Sequence, residues 1–159
     1  MENIFTLGGV PVHPLVVHLA VVAVPVAALG AIVLALLPRL ANRWVVPTFI
    51  TALLGALGAI LAKVSGEPLA EAKNLSEHAE PLADHARFGD LACISAILLA
   101  GLLLVFMLTV KKAQLYSFLS SPKLLLAVRL LTVVLALTSI VTVVMAGHEG
   151  AVLVWTEED

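Results

Sequence analysis

VHPLVVHLAVVAVPVAALGAIVLALLPRLANR, residues 12–43, decides the fold. From Val12 to Leu37 the only titratable side chains are those of His13 and His18. At about 1.5 Å of helical rise per residue, such a run covers the ~30 Å hydrocarbon core of a bilayer. Pro38-Arg39-Leu40-Ala41-Asn42-Arg43 then stops it with a proline and two cations. The residues before it carry no Lys or Arg. The basic start of a cleaved secretory signal is therefore missing, and the apolar run is too long for one.

Three further runs follow. The second covers about 44–65 and ends at Gly66-Glu67-Pro68; the third covers 91–110 and is stopped by Lys111-Lys112. The fourth covers 123–147, opens at Ser120-Ser121-Pro122 and carries Arg129 where its side chain can snorkel. Residues 66–90 form a polar outer loop. The reading is one all-α domain over residues 1–159, with four transmembrane helices at about 12–37, 44–65, 91–110 and 123–147. Bulk composition agrees. Of the 159 residues, 61% are hydrophobic and 13% charged, against about a quarter charged in ordinary globular chains. Mean hydropathy is +1.09.

Composition also excludes. A net charge of −2 with no basic cluster argues against a nucleic-acid partner, which needs grouped Lys and Arg. Cys93 is the single cysteine, so no internal disulfide or multi-thiolate site exists. It reads as a small packing residue. No nucleophile–base pair, phosphate loop or nucleophile elbow is present, which makes an enzyme the least expected class. No span carries a charge at its midplane, which argues against a channel or transporter. The sequence carries no defensible internal repeat.

Short connections imply antiparallel neighbours and an up-down-up-down bundle with the first and third helices diagonal. Arg39, Arg43, Lys111, Lys112, Lys123 and Arg129 flank one end; Lys63, Lys73 and Arg87 flank the other. The positive-inside rule puts the first end in the cytoplasm and both termini outside. Acids do not enter that rule, yet all eleven fall on the outer side, from Glu2 through Glu67, Glu71, Glu77, Glu80, Asp84, Asp90 and Glu149 to Glu157, Glu158 and Asp159. So do His13, His18, His78, His85 and His148. Small residues mark packing faces: Ala52, Gly55, Ala56 and Ala59 in the second span, and Gly89, Cys93, Ala96 and Ala100 below His85 in the third. Such stripes let helices, or a helix and a flat ligand, approach closely.

Depth follows from counting outward from the cytoplasmic charges. His13 is 26 residues from Arg39, His85 is 26 from Lys111, and His148 is 25 from Lys123. These three histidines are expected in one layer, with Glu67 and Glu71 at the same depth on the second helix. His18 lies about 7.5 Å deeper. Ionisable groups inside a span are functional candidates. Two chemistries fit. Haem b needs two axial imidazoles from facing helices, which His18 or His13 with His85 would supply, His148 being a further candidate. A non-haem site for one divalent ion would use His13, His85 and His148 with Glu67 or Glu71. Lys63, at i, i+4 to Glu67, and Asp84 would support the ligands from behind. His78, in the loop, is the weakest candidate.

The opening His13-Pro14-Leu15-Val16-Val17-His18 resembles the His-Pro-x-x-Val-His start of a family of small bacterial membrane proteins of unknown function. His85-Ala86-Arg87-Phe88-Gly89-Asp90 resembles its entry to the third helix. Gly147-His148-Glu149-Gly150-Ala151-Val152-Leu153-Val154-Trp155 is similar to its close. The resemblance implies a four-helix domain in a bacterial plasma membrane, grouped with two-haem cytochrome-like bundles. The chain departs where Trp155-Thr156-Glu157-Glu158 replaces Tyr-x-His-Gly and where Ala151 replaces a glycine, which removes a candidate ligand for a second cofactor. The expectation is a b-type haem protein with its cofactor near the outer face, serving electron transfer or a respiratory complex, alone or as a homo-oligomer. The alternatives are a non-haem zinc, iron, manganese or copper protein and a structural accessory subunit of a larger membrane complex.

Overall fold

Each apolar run forms one helix in the computed structural model, which describes residues 6–73, 82–111 and 121–155. Helix α1 is Val12–Leu36, α2 is Ala41–Ala72, α3 is Leu82–Lys111 and α4 is Pro122–Trp155. All four are long and apolar enough to cross a membrane. Ahead of α1, β1 (Thr6–Leu7) and β2 (Val10–Pro11) pair as a small hairpin. Its turn residues Gly8 and Gly9 have φ of 59° and 83°. Two positive φ angles in a row define the turn that matches strand twist, and glycine adopts them without strain.

The helices outrun the apolar runs at one end. Helix α2 does not stop at Gly66-Glu67-Pro68 but continues to Ala72; α3 begins at Leu82, and α4 continues past Gly147 to Trp155. Hydropathy measures how much chain lies in lipid, not how long a helix is. Leu, Ala, Glu and Lys sustain a helix equally well in water. Pro25, Pro47 and Pro68 all sit inside helices. Each removes one donor, and the freed carbonyl can be met by neighbouring groups or interfacial water.

Cross-helix contacts fix the directions. Gly30 meets Thr48, Val24 meets Gly55 and Ala20 meets Gly58, so α1 and α2 run antiparallel. Lys63 pairs with Asp90 and Lys111 with Asn42, which makes α2 and α3 antiparallel. His85 with Ala146 and Ser95 with Thr142 do the same for α3 and α4. Consecutive helices are neighbours, α4 closes onto α1, and α1 meets α3 across the centre. The arrangement is the expected four-helix bundle. One end carries His13, His85 and His148 and is called here the histidine end; the other carries Arg39, Arg43 and Lys111 and is called the basic end.

Burial is inverted relative to a water-soluble bundle. The interior is rich in small residues: Ala27, Ala28 and Ala31 of α1, Ala52, Ala56 and Ala59 of α2, Ala92, Ala96 and Ala100 of α3, and Thr132, Ala136 and Ser139 of α4, with Leu34, Leu99, Leu103 and Phe106 as the large side chains among them. The outside is large, with Val22, Leu36, Ile50, Leu98, Leu130 and Val141 each at least half exposed. Lipid solvates the large side chains as well as a core would, so close packing of small faces drives association. At Gly55 an added Cβ would lie 2.9 Å from Val24 Cγ2 and 3.0 Å from Val24 N; at Gly58 it would lie 2.9 Å from Ala20 N. Backbone therefore meets backbone along α1–α2, as the small stripe in α2 predicted. Interhelical hydrogen bonding is sparse, with Ser95 Oγ 3.1 Å from Thr142 Oγ1 joining α3 to α4.

Candidate functional site

His13 is the second residue of α1, and its ring reaches across to α2. Its Nδ1–H donates to Ala62 O at 2.8 Å, with Ser65 Oγ 3.4 Å from the same nitrogen. His85 enters from the first turns of α3 and reaches α4, where its Nδ1–H donates to Ala146 O at 2.9 Å. A carbonyl oxygen only accepts, so each Nδ1 carries a proton, and in a neutral ring Nε2 then holds the lone pair. Neither Nε2 has a hydrogen-bond partner among the described residues. The two ring centroids are 6.4 Å apart, with ring planes at 83°.

The helices supply this geometry through their glycines. An added Cβ at Gly66 would stand 3.1 Å from His13 Cε1 and 3.3 Å from its Nδ1. At Gly150 it would stand 3.0 Å from both Cε1 and Nδ1 of His85. Each glycine lies four residues after the alanine whose carbonyl takes the imidazole proton. Both rings are half-buried, at the level where the helices emerge from their apolar runs.

The other candidates lie elsewhere. His18 is exposed, and its Nδ1–H donates back to Pro14 O on its own helix. Five residues correspond to about 140° around a helix, which turns His18 away from the face His13 shares. The pair brought together is therefore His13 with His85, not His18 with His85. His148 sits at the expected depth, two residues beyond Ala146, but its side chain is exposed. Glu67 and Glu71 are also exposed. Among the described residues no three His, Cys, Asp or Glu side chains converge, so the set His13, His85, His148, Glu67 and Glu71 is not assembled. Lys63 bonds Asp90 of α3 rather than supporting a ligand through Glu67, and both partners are about half exposed. Asp84 is half-buried in the first turn of α3. His78, with Glu77 and Glu80, lies outside the described residues. Below His85, Cys93, Ala96 and Ala100 are buried in helix packing. The open apolar groove between α2 and α3, lined by Phe49, Ile60, Ile97 and Leu104 among others, has no titratable group in its lining.

Sequence reasoning missed Ala62, Gly66, Ala146 and Gly150. Their signal was present: Ala-x-x-x-Gly occurs on the second and fourth helices at the depth of the histidines, at 62–66 and 146–150. Gly66 was absorbed into the apparent end of a span, and a carbonyl acceptor has no residue type to mark it.

These observations define a multi-pass membrane bundle of four helices, with two backbone-anchored imidazoles meeting at one end. The chain belongs to the family described as "Predicted membrane protein (DUF2231)", which it matches over residues 9–158. No match is found among curated proteins or among solved structures.

Proposed function

We propose that this protein is a membrane-bound b-type haem protein whose cofactor would be held by His13 and His85. The separation of the two rings carries the reading. A metal–imidazole bond of about 2.0 Å on each side of one iron puts the two ring centres about 6 Å apart. The observed 6.4 Å fits, and the two rings come from diagonal helices. Carbonyl-anchored Nδ1–H groups support the same reading, because that bond fixes the tautomer and orients the ring. A bound haem would supply one-electron chemistry. The chain's own part is to bring two imidazoles from facing helices together and to hold each by its Nδ1–H.

The histidine end is proposed to face outward, since six of nine basic residues flank the opposite end. A cofactor there leaves most of the ~30 Å hydrocarbon uncrossed. The chain alone does not then carry electrons across the membrane, and a respiratory partner or a second copy on the outer side exchanges them. The test is the absorption spectrum of reduced protein purified from cells supplied with haem. Bands are expected in the wild type, in His18→Ala and in His148→Ala, and are expected to be lost in His13→Ala and in His85→Ala. Haem-free wild-type protein, or bands indifferent to His13 and His85, would overturn the reading. A second reading is a single zinc, iron, manganese or copper ion held by the same two Nε2 atoms and water, favoured by their having no partner among the described residues. Elemental analysis of the same preparation decides it, since one bound ion without haem bands selects it.

A further inference from the structure

The two histidines are seated by the same device, built twice. In each hairpin a histidine near the start of the first helix donates Nδ1–H to an alanine carbonyl of the second, and a glycine four residues on touches the ring. The spacing has a physical reason. Inside an α-helix the carbonyl of residue i already accepts the N–H of residue i+4. A second donor must reach that oxygen from the side, past the Cα of i+4. A side chain there crowds the path: a Cβ at Gly66 or Gly150 would come within 3.0–3.3 Å of Nδ1 and Cε1 of its histidine. Those contacts are tighter than ordinary van der Waals separation, so the ring must give by a few tenths of an ångström, which lengthens and misaligns its bond to the carbonyl.

We infer that Gly66 and Gly150 are positioning residues that hold His13 and His85 in the Nδ1–H tautomer and so keep both Nε2 lone pairs available to a ligand. The seats are separate, Ala62–Gly66 serving His13 and Ala146–Gly150 serving His85. Their intervening residues differ: Ser65 adds a hydroxyl beside His13 Nδ1, where the corresponding position on α4 is Glu149. The consequence for ligand binding rests on the site proposed above; the seats themselves do not.

The test reads the tautomers on cofactor-free, full-length protein in detergent, by nitrogen NMR of ¹⁵N-labelled histidine, with signals assigned by single His→Ala replacements. In the wild type, His13 and His85 are both expected to show a protonated Nδ1 and an unprotonated Nε2. Gly66→Ala is expected to lose that signature at His13 alone, and Gly150→Ala at His85 alone. Gly147→Ala, where an added Cβ meets no atom within 4 Å, should change neither. Unchanged tautomers in both seat variants would overturn the inference, as would an equal change at both histidines in every glycine variant. If a seat variant unfolds, a double-mutant cycle takes over. The loss of thermal stability from Gly66→Ala should vanish in a His13→Ala background, where no ring contests the space, and a loss that persists there refutes the seat. Haem-free protein with the stated tautomers would sink the haem reading and leave the seats standing.

Discussion

Replacing Gly55 by alanine should separate α1 from α2. The new methyl would sit 2.9 Å from Val24 Cγ2, 3.0 Å from Val24 N and 3.2 Å from Val24 Cα. Two of these atoms are backbone, so no rotamer change clears the clash, and the helices must part by a few tenths of an ångström or more. Overpacking of this kind costs about 1–3 kcal/mol. Against it stands the helix propensity gained on replacing glycine, up to about 1 kcal/mol. With the propensity gain fully offset, the net expectation is a loss of up to about 2 kcal/mol, since even a 0.5 Å gap forfeits about a quarter of each dispersion contact along the seam. Gly101→Ala is the matched control, since an added Cβ there meets nothing within 4 Å and only the propensity gain applies. The assay is equilibrium unfolding in mixed micelles, followed by the fluorescence of Trp44 and Trp155. Gly55→Ala should unfold earlier than wild type, and Gly101→Ala should not. Adding Val24→Ala to Gly55→Ala should restore only part of the loss, because it removes Cγ2 and leaves the backbone contact. Equal stability of Gly55→Ala and Gly101→Ala would refute the claim that α1 and α2 pack backbone to backbone.

Other seams respond more weakly. Ser95→Ala removes the hydroxyl contact between α3 and α4, a kind of interhelical bond worth about 0.6 kcal/mol on average in membrane bundles. Thr142 keeps its bonds to the carbonyls of Thr138 and Ser139, so the same unfolding titration should show a small shift. Asp90→Asn breaks the ion pair with Lys63, whose partners are 45% and 52% exposed, so less than about 1 kcal/mol is expected. The difference in melting temperature from wild type should shrink as salt is raised. His18→Ala should stay within about 0.5 kcal/mol of wild type, because the side chain is exposed and bonds only its own helix.

The bundle was legible because hydropathy and charge speak directly about solvent. Small faces such as Ala28 and Ala31 are visible as residue types, whereas Leu34 and Val24 are buried and Leu36 and Val22 exposed on the same helix, a difference that residue type does not carry. The depth of His13, His85 and His148 was legible because helical rise is constant. Direction was harder to read. Depth alone does not distinguish His13, which points at a neighbouring helix, from His148, which points away. The i, i+5 relation did place His18 on a different face from His13. Which of the two faces the bundle interior depends on how α1 is rotated against α2, and Gly55 and Gly58 set that rotation through contacts invisible in either helix alone. The helix ends were not legible from the apolar spans, since Glu67, Pro68 and Glu71 end an apolar run without ending a helix.

The seating of the histidines explains why the site requires antiparallel neighbours. Side chains lean toward the start of their own helix, whereas carbonyls point toward its end. The start of α1 and the end of α2 lie together, so the His13 ring and the Ala62 carbonyl incline toward the same end of the bundle and meet there. The start of α3 and the end of α4 repeat this for His85 and Ala146. Between parallel helices the carbonyls would point away from the rings. The up-down order is thus a condition of the site as well as a consequence of short connections. At the basic end α2 and α4 start beside the ends of α1 and α3 in the same antiparallel order, but the sequence places no histidine near Asn42 or Lys123 and no Ala-x-x-x-Gly pair at the ends of α1 or α3. Confinement of the imidazoles to one end is therefore written in residue choice, and a histidine near the start of α2 or α4, facing an Ala-x-x-x-Gly pair, is what a second site at the basic end would require.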